Sequence, residues 1–132
     1  MSHYATEVCK CPEIIGIIAN FEFINYCIMV GRYKVITLCG STRFKEHFLE
    51  AQKRLTLEGN IVISVGLFGH SGDNEVWTEG TKKMLDDMHK RKIDMADEIF
   101  VINPGGYIGS STRSEIEYAL AHGKGVNYLE NL

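Results

Sequence analysis

The chain has 132 residues, 45% of them hydrophobic and 23% charged, a balance that suits one ordinary globular core. A formal net charge of −3 argues against duplex nucleic acid as the main partner, because a phosphate backbone demands a basic face. A small anionic ligand needs only a local cation, so that class stays open.

Residues 1–32 read as an extension outside the core, and residues 33–132 as the domain. Pro12 to Val30 is rich in Ile, Phe and Tyr but is broken by Glu13, Asn20, Glu22 and Asn25. It lacks both the apolar length of a membrane span and the basic start and cleavage site of a signal peptide. Met29, just before the first expected strand, reads as a candidate translation start. Cys9 and Cys11 form a lone C-x-C without a second pair, which is a poor zinc pattern. Cys39 reads as a small buried residue, and Cys27 completes no disulfide framework. These features point to a reducing cytoplasm and no membrane.

Val35-Ile36-Thr37-Leu38 is a β-branched apolar run that predicts a strand, and Gly40-Ser41-Thr42-Arg43 follows at once. Phe44, Phe48, Ala51 and Leu55 share one helical face that ends near Gly59. Ile61 to Val65 predicts a second strand, buried on both faces, and Gly66 to Asn74 a Gly-rich loop. A helix is expected from about Thr78 to Met95, with Met84, Leu85, Met88 and Ile93 inward. Glu98 to Ile102 predicts a third strand, broken by Asn103-Pro104-Gly105-Gly106. A third helix spans roughly Arg113 to His122, and Val126 to Leu129 forms a last strand. This alternation predicts an α/β fold with a parallel sheet of four or five strands and helices on both faces. Ligands of such sheets bind beyond the carboxyl ends of the strands, where strand order reverses.

A strand that turns through Gly-Ser-Thr into a helix offers free backbone N–H groups and a favourable dipole to an anion. Arg43 adds a planar cation that can grip phosphate with two hydrogen bonds. The alternative is a plain helix start with Ser41 as its cap. Glu115 has the same two readings. Near the mouth of the sheet, its carboxylate could attack or stabilise an electron-poor carbon such as the anomeric carbon of a sugar. Equally, Thr112-Arg113-Ser114-Glu115 fits a T-x-x-E capping box. Ser110, Ser111 and Ser114 offer hydroxyls for a phosphate or sugar, or begin a helix. His89 and Asp86 share a helix face, where His89 either lends a proton to a leaving base or faces solvent. His70 and Asp73 lie in the second loop, within reach of a nucleobase.

KVITLCGSTRF, a helix, DMADEIFVIN, a Gly-rich loop and SEIEYALAHGKGVNYL together resemble the nucleoside 2-deoxyribosyltransferase superfamily. That superfamily includes the deoxyribosyltransferases and the deoxynucleoside 5′-monophosphate N-glycosidases. The resemblance covers about Lys34 to Leu129. Its most specific part is E-x-x-x-A-x-A-x-G-K from Glu115 to Lys124, behind the Ala96-Asp97 strand start.

The resemblance implies a flavodoxin-like (Rossmann-like) three-layer fold. It further implies cleavage or transfer at the N-glycosidic bond of a nucleoside or nucleoside 5′-monophosphate, with Glu115 as nucleophile. By the same resemblance, Gly40, Ser41, Thr42 and Arg43 hold the 5′ end of the nucleotide, and Gly109, Ser110 and Ser111 contact sugar or phosphate. No metal or cofactor is implied, the partner is a small nucleotide or nucleoside, and the subunits assemble as homo-oligomers that complete one another's sites.

Two positions depart from the pattern. His89 stands where the family carries an Asp, and Gly109 stands where the transferases carry a second acid. The Ser-rich loop is closer to the phosphate-binding glycosidases. The PGGYIG stretch also resembles the PGGxGTxxE motif of cytokinin-activating phosphoribohydrolases, with Ile108 interrupting the spacing. A third reading is a non-catalytic nucleotide-binding module in which Glu115 is only a cap.

Overall fold

The computed structural model describes residues 30–131. The expectations for residues 1–29, with Cys9, Cys11, Cys27 and Met29, lie outside the described residues. Tyr33–Leu132 forms a compact unit. It alternates β1 (Val35–Gly40), α1 (Lys45–Leu57), β2 (Ile61–Ile63), α2 (Thr81–Asp94), β3 (Glu98–Ile102), α3 (Ser110–Ala121) and β4 (Gly125–Tyr128).

All four strands are parallel, in the order β2-β1-β3-β4. The chain leaves β1 to one side to make β2, then crosses back to lay β3 on β1's other side. Ile36–Gly40 pair with Glu98–Ile102, so β1 and β3 form the centre of the sheet.

Alternation along these strands divides the core in two. Ile36, Leu38, Phe100 and Ile102 face α1, whose Phe48, Ala51 and Leu55 recur at helical spacing and are buried. Cys39, Ile99 and Val101 point to the opposite face, under Ile93 of α2 and Ile116 and Ala119 of α3. The result is a three-layer, flavodoxin-like α/β fold. Among the described residues no helix is long and apolar enough to cross a membrane.

Four sequence expectations change. β2 stops at Ile63 and lies at the sheet edge, with Ile61 half exposed, so it is not buried on both faces. α2 starts at Thr81, because Gly80 takes a left-handed conformation just before it. Met84 and Met88 face solvent, and His89 takes the buried position with Ile93. α3 starts at Ser110 after Gly109, three residues earlier than expected.

The carboxyl end of β3 is closed by Asn103, which is fully buried. Its side-chain amide donates to the Glu130 carbonyl at 3.0 Å, and its carbonyl oxygen accepts from the Glu130 N–H at 2.9 Å. The carboxyl end of β1 is Gly40, which pairs with Ile102 of β3. A Cβ on Gly40 would lie 2.7 Å from the Ile102 carbonyl oxygen. That neighbour is backbone inside the central pair and cannot turn away. Gly40→Ala is expected to cost about 1–3 kcal/mol of stability, as overpacking does, measured as a lower urea midpoint with an unchanged slope.

Candidate functional site

The two central strands end side by side, and the chain leaves them toward opposite faces. This is the topological switch point of the sheet. A cavity of about 230 Å³ opens there. Gly40, Ser41, Thr42, Arg43, Gly109, Ser110, Ser111, His89 and Glu115 all line it, although they come from four separate stretches of chain.

Two features give its rim a positive character. Gly109 is the N-cap of α3, and the first helical hydrogen bond runs from Arg113 N–H to the Gly109 carbonyl. The N–H groups of Ser110, Ser111 and Thr112 precede that bond and have no partner within the helix. Across from them, Arg43 is held rather than swinging in solvent. Its Nε donates to Ser41 Oγ at 3.2 Å and its Nη2 to Tyr107 Oη at 3.3 Å, and the guanidinium stacks 4.6 Å from the Tyr107 ring centre. Ser41 also caps the short 3-10 turn Thr42–Phe44. The Gly-Ser-Thr-Arg turn therefore enters a 3-10 turn, with Ser41 as its cap, before α1 begins.

The second loop forms another wall. His70 N–H donates to Thr42 Oγ1 at 3.1 Å, and Ser71 Oγ donates to the Thr42 carbonyl at 2.8 Å. His70 also packs on Trp77, with ring centres 5.0 Å apart. Asp73 accepts the Phe68 N–H at 2.6 Å, so it braces this loop from within and is not among the cavity's lining residues.

At the inner end lie Glu115 and His89, whose side chains are 17% and 8% exposed. The capping box is not formed. With Gly109 as N-cap, Thr112 is the third helical residue and is buried, and Glu115 sits in the second turn. Nor does His89 face solvent. The two outcomes have separate causes: α3 begins earlier than its sequence pattern suggests, and α2 turns its methionines outward and His89 inward.

Burial governs the chemistry of this pair. Desolvation raises the Glu115 carboxyl to about 7; Asp86 pushes it further up, while the Cys39 thiol, Lys82 and Lys90 hold it down. Desolvation, with help from Lys92, lowers the His89 imidazole to about 4, against the pull of Asp86 and the Leu38 carbonyl. His89 Nε2 lies 3.8 Å from Glu115 Oε1, which has the spacing of an ion pair. Burial disfavours charge on both partners, so the neutral forms are favoured over an ion pair near neutral pH. Cys39 Sγ completes the group, 3.4 Å from His89 Nε2. Burial first, and then Glu115, push its thiol well above the usual range, so it is no ready nucleophile.

Among the described residues, Cys39, His89 and Glu115 form the group that could hold a metal, with ligand atoms all within 4.8 Å of one another. Asp86 forms a 2.7 Å pair with Lys82 at the cavity wall. Asp94 instead accepts the Tyr118 hydroxyl at 2.8 Å.

No protein-family model, curated protein or solved structure matches this chain.

Sequence reasoning passed over Cys39, Tyr107, Trp77 and Lys82 as site residues. Only the position of Tyr107, beside the Gly109-Ser110-Ser111 loop, gave a signal. Cys39 was read as a buried core residue, and it is fully buried.

The two shifts act oppositely on stability. Glu115 takes its proton more readily in the fold, so its contribution is whole below about pH 4.5 and is lost as pH rises toward 7. His89 resists protonation in the fold, so its contribution is whole above about pH 6.5 and is lost as pH falls toward 4. Between those limits the slopes offset each other. Glu115→Gln removes the first term. In EDTA-containing buffer the variant should exceed wild type above pH 7 by up to roughly 3 kcal/mol. It should also lose stability from pH 6.5 to 4, where the pair leaves wild type nearly flat. Urea melts across this range check both slopes.

Proposed function

We propose that the protein cleaves or transfers at the N-glycosidic bond of a nucleoside or nucleoside 5′-monophosphate, using the Glu115 carboxylate. The observation that carries this reading is the place of Glu115, which lies at the inner end of the switch-point cavity and is not engaged in capping its helix. A carboxylate in such a low-dielectric position can stabilise the positive charge that builds on the sugar as the bond breaks, or trap it covalently. In the covalent form, a Glu115 oxygen bonds to the anomeric carbon. The carbon–nitrogen electron pair leaves with the base, which takes up a proton. Water or a second base then displaces Glu115.

The rim supports the monophosphate form of the substrate. The unpaired N–H groups at the start of α3 and the anchored Arg43 could receive a 5′-phosphate while the sugar reaches inward. His70 and Trp77 offer flat surfaces for a base. His89, neutral at physiological pH, suits the positioning of Glu115 better than proton donation. The family resemblance of Lys34–Leu129 points the same way.

Incubation with a panel of nucleotides, followed by chromatography for free base, tests the reading. Wild type should release base, and Glu115→Gln should do so roughly a thousandfold or more slowly while retaining its fold. A requirement for an added acceptor base would make the activity a transfer. Binding without release from any nucleotide would leave only a binding module. Arg43→Ala should weaken monophosphate binding by about tenfold or more, in line with the loss of a charged hydrogen bond. Binding of the matching free nucleoside should not change. Equal weakening of both ligands would remove Arg43 from the phosphate role.

A further inference from the structure

Three ligand-bearing side chains of different kinds converge from three elements at the inner end of the cavity, which His89 and Glu115 line and beneath which Cys39 is fully buried. Cys39 is the next-to-last residue of β1, His89 is in the middle of α2, and Glu115 is in the second turn of α3. We propose that Cys39, His89 and Glu115 form a binding site for a borderline-soft divalent cation of the zinc class.

The donor set matches the metal. Zinc takes thiolate sulfur, imidazole nitrogen and carboxylate oxygen, usually in a tetrahedron. Its bond lengths place neighbouring ligand atoms roughly 3.4–3.6 Å apart. The Cys39–His89 separation is 3.4 Å and the His89–Glu115 separation is 3.8 Å. All three atoms lie within 4.8 Å of one another, so a turn of the Glu115 side chain would be enough to complete the triangle.

Nε2 of His89 is the nitrogen that faces Cys39 and Glu115, so the tautomer protonated on Nδ1 turns a lone pair toward the cluster. Charge balances too. Binding the cation expels the thiol proton and any carboxyl proton, and a doubly charged metal then sits against one thiolate and one carboxylate. Three protein ligands leave a fourth position for water or an incoming anion.

The site goes beyond the glycosidic reading and can be tested without it. A carboxylate bound to metal is no longer a free nucleophile, so occupancy and glycosidic chemistry would compete for Glu115.

The test uses the full chain, stripped with EDTA, dialysed and kept reduced under argon, and titrated with Co²⁺. One equivalent should bring intense tetrahedral bands in the visible and a thiolate-to-cobalt band in the near ultraviolet, and one equivalent of Zn²⁺ should abolish both. Cys39→Ser should lose the thiolate band. Glu115→Gln should keep that band while binding more than about tenfold more weakly. The C9S/C11S/C27S variant should retain the full spectrum, which separates this cluster from the other cysteines. A wild-type spectrum without tetrahedral bands overturns the proposal. So does a thiolate band that survives Cys39→Ser, or one that vanishes in C9S/C11S/C27S while circular dichroism shows an intact fold. No nucleotide enters the experiment, so its result is independent of base release.

Discussion

The pairing of β1 with β3 is the contact from which the rest follows. These strands are distant in sequence, yet five residues of each lie in register, and a second strand flanks each on its outer side. The chain must therefore leave their carboxyl ends in opposite directions. That divergence makes the cavity, and the absence of a side chain on Gly40 lets the two ends approach closely enough to form its base. The loops that carry Arg43 and Ser110 reach one cavity because the strands that launch them are neighbours.

Polarity is graded from rim to interior. Helix-start N–H groups, Arg43 and the Lys82–Asp86 pair lie toward the outside, where solvent can screen them. Farther in, Cys39, His89 and Glu115 share a space where burial disfavours charge on each of them. An ionised group there is costly unless something compensates it. A sugar becoming cationic and a divalent metal are two different compensations for the same deficit.

Much of this was legible in the sequence. The β-branched run Val35–Leu38 and the spacing of Phe48, Ala51 and Leu55 report local preferences, and both elements formed where the pattern put them. The switch-point rule was enough to bring Gly40–Arg43, Gly109–Ser111 and Glu115 to one cavity. Failures came where two residue types could fill the same helical position. Met84 and Met88 are the more apolar residues on α2, but the packed face runs through His89 and Ile93. Hydropathy cannot foresee a buried histidine whose partners come from β1 and α3. At α3, Thr112 and Glu115 match a capping box, yet Gly109 ends the preceding turn and Ser110 is already helical. Local patterns compete there, and tertiary packing of Thr112 decides between them. The role of Cys39 beside His89 was invisible because it depends on a contact spanning fifty residues.

Thr42 has a consequence beyond its own turn. Its hydroxyl receives the His70 N–H and its carbonyl receives the Ser71 hydroxyl. Two bonds on one residue join the Arg43 turn to the His70–Trp77 wall, so these sides of the cavity behave as a single jaw. Arg43 on this jaw also donates to the Tyr107 hydroxyl, and both residues line the cavity. The three loops are thus tied in series through two neighbouring residues, so loosening Thr42 would reach the cavity wall on either side of it.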